Sequence, residues 1–216
     1  MVAKSRTPAP SRGLPRIWEK YGAWIVTLLA AVVIAWLAVT LIGRHRDSQR
    51  EELRQRLTVI NNRLLNAEIQ LRIRLQLLGL EDVEIIKTVA AETEQQLRQL
   101  LVDCEYADVR SKINLSLAQA LLKQENYAEA EQVFQELSEN ESLGRLDRAL
   151  VNLGLAYAAQ GMDDLTEARV RWKRVLDDHL YKVEAMQNIG LIDEVLARRE
   201  RRKTHETKPD ADEKTD

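Results

Sequence analysis

Proline and cysteine are scarce in this chain. It has four prolines, and none lies between Pro15 and Pro209. Proline interrupts helices because it has no backbone N–H to donate. Its absence from residues 16–208 means that no proline breaks a helix over most of the sequence. The single cysteine, Cys104, excludes a disulfide within the chain. It does not distinguish an oxidising compartment from a reducing one, because disulfide-free domains occur in both.

Glycine and phenylalanine are also rare, with eight glycines and one phenylalanine in 216 residues. This composition favours an all-α protein over a sheet-based one. Residues 47–196 carry 18 Lys or Arg against 27 Asp or Glu, a net charge of −9. A nucleic-acid partner is therefore not expected, since phosphate binding needs a concentrated positive field.

Catalytic and metal-binding patterns are missing from the sequence. His45, His179 and His205 lie far apart and have no carboxylate or thiol at ligand spacing. Asp163-Asp164 and Asp177-Asp178 suggest a cation site, but they occur where helices should end, and loop carboxylates are the simpler interpretation. We expect no enzymatic activity, no metal site and no cofactor.

The longest uncharged run extends from Trp24 to Ile42 and has the length of one transmembrane helix. Its nineteen residues span about 28 Å as a helix, close to the hydrocarbon thickness of a bilayer. Trp18 and Tyr21 lie where aromatic side chains prefer the headgroup layer. A signal peptide has a shorter apolar region that ends in small residues. We therefore expect a single-pass anchor at 24–42 after a basic N-terminal tail at 1–23.

The charges on the two sides of this run do not decide its orientation. Five Lys or Arg residues lie within twenty residues on each side, and the positive-inside rule compares such counts. The N-terminal side has fewer compensating acids, so we favour a cytoplasmic N terminus and a C-terminal domain on the other side of the membrane. The opposite topology stays open.

Residues 44–78 carry an apolar stripe with the four-and-three spacing of a heptad. The stripe consists of Leu53, Leu57, Ile60, Leu64, Ala67 and Leu71. It predicts a helical stalk, which either forms a parallel coiled-coil homodimer or packs against helices further along its own chain. The alanine in the seam makes a coiled coil marginal.

A second apolar stripe begins after residue 68, at Ile69, Ile73, Leu77 and Leu80. It suggests that the distal stalk lies between two packing partners. The segment 69–77 also alternates strictly, as a half-buried strand would. Because Leu, Gln and Arg form helices well, we favour the helix.

Two stretches of the C-terminal half share a pattern of leucines, small residues and aromatic residues. The first has Leu117, Ala118, Leu121, Tyr127, Ala130, Phe134 and Leu137, and the second has Leu153, Gly154, Tyr157, Ala168, Trp172, Val175 and Leu176. This pattern resembles the tetratricopeptide repeat (TPR), in which such residues interlock two antiparallel helices. The resemblance implies a short α-solenoid over residues 106–200. It also implies that Phe134 and Trp172 are wedged between the two helices of their own repeats.

The pairs Leu117-Ala118, Leu153-Gly154 and Ile189-Gly190 follow one another at intervals of 36 residues. No second helix follows the third pair, so residues 181–200 are interpreted as a capping helix. A mixed-charge tail at 201–216 is expected to be disordered. Upstream, residues 81–104 form an amphipathic linking helix that is expected to cover the first repeat together with the distal stalk.

The TPR resemblance implies a concave surface that binds an extended peptide or a partner helix. Counting along the alignment names nine candidate binding residues: Lys112, Gln119, Lys123, Arg148, Asn152, Leu155, Gln187, Asn188 and Leu191. Chaperone-binding relatives grip a C-terminal aspartate with a clamp of five residues. Only Asn152 matches that clamp, so recognition of such a tail is not expected.

The order of tail, span, stalk and repeats resembles the YfgM-like family of bacterial inner-membrane proteins that accompany the SecYEG translocon. The resemblance implies a single-pass protein of the bacterial inner membrane with its C-terminal domain in the periplasm. It also implies a non-enzymatic accessory factor that brings periplasmic chaperones to emerging chains. The alternatives are a structural subunit of another membrane complex and a TPR scaffold that faces the cytosol. Expected partners are the bilayer and other proteins.

Overall fold

The computed structural model describes residues 14–78, 83–177 and 179–206, which form α-helices joined by short turns. The helices are α1 (Leu14–Leu78), α2 (Val83–Val102), α3 (Ala107–Lys123), α4 (Tyr127–Ser138), α5 (Arg145–Gly161), α6 (Leu165–Asp177) and α7 (Lys182–Glu206). No strand occurs within the described ranges. The alternating segment 69–77 is helical and belongs to α1, which ends at residue 78. The all-α prediction is confirmed.

The chain divides into two compact units, residues 1–51 and 52–216. In the first unit, α1 exposes apolar side chains on every side, and Leu28, Trp36 and Leu41 are each more than half exposed. A helix that is apolar all round suits lipid better than water. Within the described chain one helix is long and apolar enough to cross a membrane, and it lies near the N terminus.

In the second unit, helices α2 to α7 pack in chain order, each against the next. The hairpin α3–α4 and the hairpin α5–α6 are two copies of one structural repeat. Helices α3 and α5 begin 38 residues apart, at 107 and 145, and so do α4 and α6, at 127 and 165. The predicted linking helix is α2, which packs against the first repeat as expected.

The interval of 36 residues predicted for the repeat is corrected to 38. At this spacing three buried positions of the first repeat match three buried positions of the second: Leu117 with Leu155, Ala118 with Ala156 and Leu121 with Ala159. The predicted alignment instead paired buried Leu121 with Tyr157, which is 37% exposed. The segment from Leu153 to Tyr157 contains two successive leucine–small pairs, and the second pair is the equivalent one because it is the buried one.

Two aromatic side chains, Phe134 and Trp172, occupy the same repeat position and are both fully buried. Trp172 lies against α5 of its own repeat, as predicted. Its indole Nε1–H donates to Oε1 of Gln160 at 3.0 Å, and its ring meets Tyr157 edge-on, with centroids 4.9 Å apart. Phe134 also faces the next repeat, because its ring fills the space beside Gly154 of α5.

The turns that end α3 and α5 share one backbone geometry. Glu125 and Asp163 have φ of 63° and 62°, in the left-handed region that favours glycine. In each turn the following residue donates its N–H to a carbonyl five positions back, at 3.0 Å from Asn126 to Leu121 and at 3.1 Å from Asp164 to Ala159. This is the 6→1 bond of the Schellman motif.

The carboxylates of these two turn residues each hold a helix outside their own hairpin. Glu125 pairs with Lys87 of α2 at 2.7 Å, and Asp163 pairs with Arg199 of α7 at 2.7 Å. The same turn position therefore ties the first repeat to the preceding helix and the second repeat to the following one.

The apolar stripe of the stalk packs inside the chain. Leu57 is buried in the core of the first repeat, and Leu53, Ile60 and Leu64 pack against that core. A homodimer through this stripe would have to compete with the fold. Ile69 and Ile73 of the second stripe are 45% and 43% exposed. The second packing partner expected for the distal stalk is therefore not among the described residues.

The two predicted tails lie partly outside the described residues, which begin at 14 and end at 206. Residues 14–23 belong to α1, and residues 201–206 continue α7 to Glu206. This is six residues beyond the boundary predicted for the charged tail. The predicted features at residues 1–13, 79–82 and 207–216 are outside the described ranges.

Candidate functional site

A large cavity in the second unit lies between α1 on one side and α5 on the other. Its volume is about 970 Å³, at the upper end of the roughly 300–1,000 Å³ typical of ligand sites. We call it the inner groove. It is lined by Asn61, Asn62, Leu64, Leu65, Glu68 and Arg72 of α1, Gln119, Leu122 and Lys123 of α3, Tyr127 and Phe134 of α4, Leu150, Leu153, Gly154, Tyr157, Gln160 and Gly161 of α5, and Glu184 of α7.

Three polar bridges fix α1 parallel to α3, and they recur about two helical turns apart. Arg54 pairs with Asp108 at 3.0 Å, Asn61 donates to the Ser116 hydroxyl at 2.9 Å, and Lys123 pairs with Glu68. The α1 residues of these bridges, Arg54, Asn61 and Glu68, are spaced seven residues apart, so they lie on one face of that helix. This ladder sets the register of the α1 wall against the rest of the groove.

The α1 wall joins the first repeat through an apolar contact as well as through the ladder. Leu57 is buried in the core of that repeat, and Leu53, Ile60 and Leu64 pack against the same core. A second cavity of about 580 Å³ separates α1 from α2 and is lined mainly by polar side chains. The wall is therefore held on its α3 side by apolar burial and by the polar ladder.

The floor of the groove is made by the rings of Phe134 and Tyr127. Each ring lies against a glycine of α5, where any other residue would have a side chain. A Cβ atom at Gly154 would lie 2.1 Å from Phe134 Cζ, and a Cβ atom at Gly161 would lie 2.3 Å from Tyr127 Cε1. Separations this short cannot be accommodated without movement of the rings. The two glycines thus let α4 approach α5 and give the groove an aromatic floor.

Tyr157 and Glu184 link α5 to α7 at the edge of the groove. The Tyr157 hydroxyl donates to a carboxylate oxygen of Glu184. Burial raises the pKa of Tyr157 well above its usual range, and the hydrogen bond to Glu184 raises this pKa further. Tyr157 therefore stays a neutral donor at physiological pH, and its ring remains an apolar wall.

Four charged side chains line the inner groove: Glu68, Arg72, Lys123 and Glu184. Glu68 is paired with Lys123, and Glu184 accepts from Tyr157. Arg72 forms no hydrogen bond or ion pair with another described residue. The Tyr157 hydroxyl is neutral and does not balance the charge of Glu184. The groove thus contains one cation, Arg72, and one anion, Glu184, without an ion-pair partner in the described part of the chain.

Two of the three candidates predicted on the first repeat lie in the groove. Gln119 and Lys123 line it, whereas Lys112 is exposed outside the lining residues. The candidates on α3 were counted from Leu117, Ala118 and Leu121, and these three residues are buried as the repeat pattern requires.

The three candidates predicted on α5 lie outside the groove. Arg148 donates to the Glu141 carbonyl at 3.3 Å, Asn152 is half-buried, and Leu155 is buried in the core. The error in repeat interval explains this result. When the first-repeat candidates are moved by 38 residues, Lys112, Gln119 and Lys123 correspond to Leu150, Tyr157 and Gly161, and all three of these line the groove.

The candidates predicted on the capping helix do not line the groove either. Gln187 and Leu191 are exposed, and Asn188 is half-buried, donating to the Glu184 carbonyl at 2.9 Å. From α7 only Glu184 reaches the lining among the described residues. Packing of the distal stalk against the first repeat was expected, but the α1 residues that line the groove were not named, because the register between residues 61–72 and α3 is not encoded in any local pattern.

The acidic pairs considered as a cation site have other partners. Arg199 donates to both carboxylate oxygens of Asp163, at 2.7 Å and 2.9 Å. Asp164 Oδ1 accepts the backbone N–H of Glu167 at 3.0 Å, which is the bond of a helix N-cap. Asp177 ends α6, and residue 178 is outside the described ranges. These contacts support the interpretation of Asp163 and Asp164 as turn residues.

A comparison of the chain with known protein families and with curated proteins found no match. The likenesses to the TPR and to the YfgM-like proteins therefore stand on the residues and the architecture of this chain alone.

Proposed function

We propose that this protein is a non-enzymatic, membrane-anchored adaptor that holds a segment of a partner protein in the inner groove. The observation that carries the proposal is the lining of the groove. The same repeat positions of α3 and α5 face it, and the stalk helix supplies the opposite wall. About half of the lining side chains are apolar or aromatic and the others, glycines aside, are polar or charged. Such a lining can bind a protein segment through both apolar contact and hydrogen bonds.

The anchor is supported by the exposed apolar run of α1. With Trp24 to Ile42 in the bilayer, the protein is a single-pass protein of a bacterial inner membrane, and the repeats lie in the periplasm. In this arrangement the TPR-like repeats work near the membrane surface, as an accessory factor of the Sec translocon that recruits chaperones. The resemblance to the YfgM-like architecture motivates this assignment.

Fusions at the C terminus test the topology. Alkaline phosphatase joined after Asp216 should be active, and green fluorescent protein at the same place should stay dark, because each reporter works on one side of the membrane only. A fluorescent fusion together with an inactive phosphatase would place the repeats in the cytosol. The scaffold that faces the cytosol would then replace the periplasmic accessory factor.

Photocrosslinking in intact membranes tests the groove. A benzophenone amino acid at Gln119, inside the groove, should give adducts with discrete proteins that mass spectrometry identifies. The matched control is the same probe at Gln135, an exposed glutamine of α4 that does not line the groove. Equal adduct patterns at both positions would contradict binding in the groove.

A structural subunit is the second candidate function, and the ladder between α1 and α3 favours it. A stalk that is fixed to its own repeats makes a rigid spacer. Under this alternative, adducts should come from probes on the outer surface, such as Gln135, and identify fixed neighbours of one membrane complex. Adducts confined to Gln119 would favour the adaptor.

A further inference from the structure

The α1 wall of the groove carries apolar side chains that nothing in the described chain covers. Leu65, Ile69 and Ile73 are 52%, 45% and 43% exposed, and Leu65 lines the inner groove. They are spaced four residues apart, so they form one stripe along the helix. We call these three residues the open stripe. Apolar side chains at this spacing are the pattern by which one helix packs against another.

The inference about what covers this stripe rests on the proposed function. We propose that the segment held by the groove is an amphipathic helix of a different protein, which packs on the open stripe and places an Asp or Glu side chain opposite Arg72. Arg72 lies between Ile69 and Ile73 in sequence and lines the groove.

A second copy of this chain suits the stripe poorly. Two copies anchored in one membrane run in the same direction, so equivalent residues of their α1 helices would meet. Asn62, Leu65, Ile69 and Arg72 follow the three-and-four spacing of a parallel helix pair. Such a pair would bring two Arg72 guanidinium groups together, and like charges at short distance oppose association.

Charge complementarity beside the open stripe selects the partner chemistry. Arg72 is the lining cation without a described partner, because Lys123 is already paired with Glu68. A guanidinium presents a fork of donors that matches a carboxylate, and such charge-assisted bonds are stronger than neutral ones. A partner helix with a carboxylate at this point gains both the apolar contact and the ion pair.

Designed peptides measure the preference directly. Two labelled amphipathic helical peptides of about 15 residues share one apolar stripe and differ at one flanking position, which is Glu in one and Lys in the other. Binding to the full chain in nanodiscs of uncharged lipid is followed by fluorescence anisotropy. The wild-type protein should bind the Glu peptide about three- to tenfold more tightly than the Lys peptide, since one partly exposed ion pair has a modest effect.

A charge reversal provides the decisive comparison. Arg72→Glu should invert the preference, so that the Lys peptide binds better. Arg174→Glu is the matched control, because Arg174 is an exposed arginine of α6 outside the groove. This variant should keep the wild-type preference. Circular dichroism verifies that both variants keep their helix content.

The possible failures can be told apart. Equal binding of both peptides to wild type, or an unchanged preference in Arg72→Glu, would overturn the acidic-helix inference. Absence of peptide binding, with partner adducts still formed at Gln119, would overturn it as well and leave the adaptor standing. If those adducts consisted of a second copy of this chain, a different partner would be excluded. The loss of all adducts at Gln119 would overturn the adaptor itself.

Discussion

The two repeats have one backbone plan but fill their interiors differently. In the first repeat Leu121 and Phe134 occupy positions that Ala159 and Trp172 take in the second. A smaller aliphatic residue accompanies the larger aromatic ring, so the volume is conserved across the pair. Volume-conserving exchange is the change that a closely packed core tolerates best. The repeats therefore illustrate two packings of one hairpin.

The surroundings of the repeats differ too. The first repeat is bordered by α2 and by the α1 wall, whose Leu57 belongs to the same core as Phe134. The second repeat is bordered by α7, whose Ala185 and Ile192 belong to the same core as Trp172. The first repeat is thus covered by helices that precede it in the chain, and the second by the helix that follows it.

The largest effect is expected from truncation of the aromatic residue in the second repeat. Trp172→Ala should lower the free energy of unfolding by about 3–5 kcal/mol, because it leaves a large cavity and also removes the bond to Gln160. Thermal and denaturant unfolding of the protein followed by circular dichroism measures this. Trp172→Phe, which copies the first repeat, should recover most of the loss. An unchanged midpoint in Trp172→Ala would refute the packing described for this core.

Separating the α1 wall should affect the first repeat alone. Leu57→Asp places a charge among buried apolar side chains and should cost about 2–4 kcal/mol. Hydrogen exchange should accelerate in α3, while protection in α6 is retained. Val59→Asp is the control, since Val59 is exposed on the same helix, and it should be nearly neutral. Equal loss of protection in both repeats would mean that they unfold as one unit.

Two glycine-to-alanine substitutions, expected to change the free energy of unfolding in different directions, test the aromatic floor. Gly154→Ala forces a methyl group against the Phe134 ring and should cost about 1–3 kcal/mol. Gly190→Ala meets nothing within 4 Å, so it should be neutral or stabilise the protein by up to about 1 kcal/mol, because alanine favours helix. Denaturant midpoints provide the comparison. A stabilised Gly154→Ala would show that the ring moves freely.

The smallest effects are expected at the two left-handed turn residues. Glu125→Gly and Asp163→Gly each relieve a backbone conformation that costs an ordinary residue about 1 kcal/mol, and each removes an exposed ion pair. The net change in unfolding free energy should be near zero at low salt. At high salt, where the ion pairs are screened, both variants should become the more stable form. Persistent destabilisation at high salt would contradict this balance.

The sequence predicts the helical class, the apolar span and the existence of a repeat, because these features are local. The absence of proline, the heptad stripe and the recurrence of small residues beside leucine each act within a few turns. Burial of Trp172 is also predictable from the repeat pattern, and it is found.

The positions that face the groove on α5 are not predictable in the same way. Leu153-Gly154 and Leu155-Ala156 look alike as residue pairs, and the choice between them depends on which pair is buried against other helices. The wrong choice moved the predicted site by two residues, about half a turn, and so around to another face of α5. Packing of the stalk against its own chain was one of the two alternatives open from the sequence, but its register was not predictable, because the ladder joins residues 54 or 55 positions apart in the chain.

The bond from Trp172 to Gln160 constrains the order in which the two repeats can have diverged from a common hairpin. At the equivalent positions the first repeat has Phe134 and Leu122, and Leu122 lines the groove. A glutamine acquired first would reach solvent at the groove and cost little. A tryptophan acquired first would bury an indole N–H without an acceptor, at about 1–3 kcal/mol. The path that leaves no buried donor unpaired therefore passes through the amide. A transplant between the hairpins has to move both residues together with Leu121 or Ala159, because the larger ring occurs with the smaller aliphatic residue.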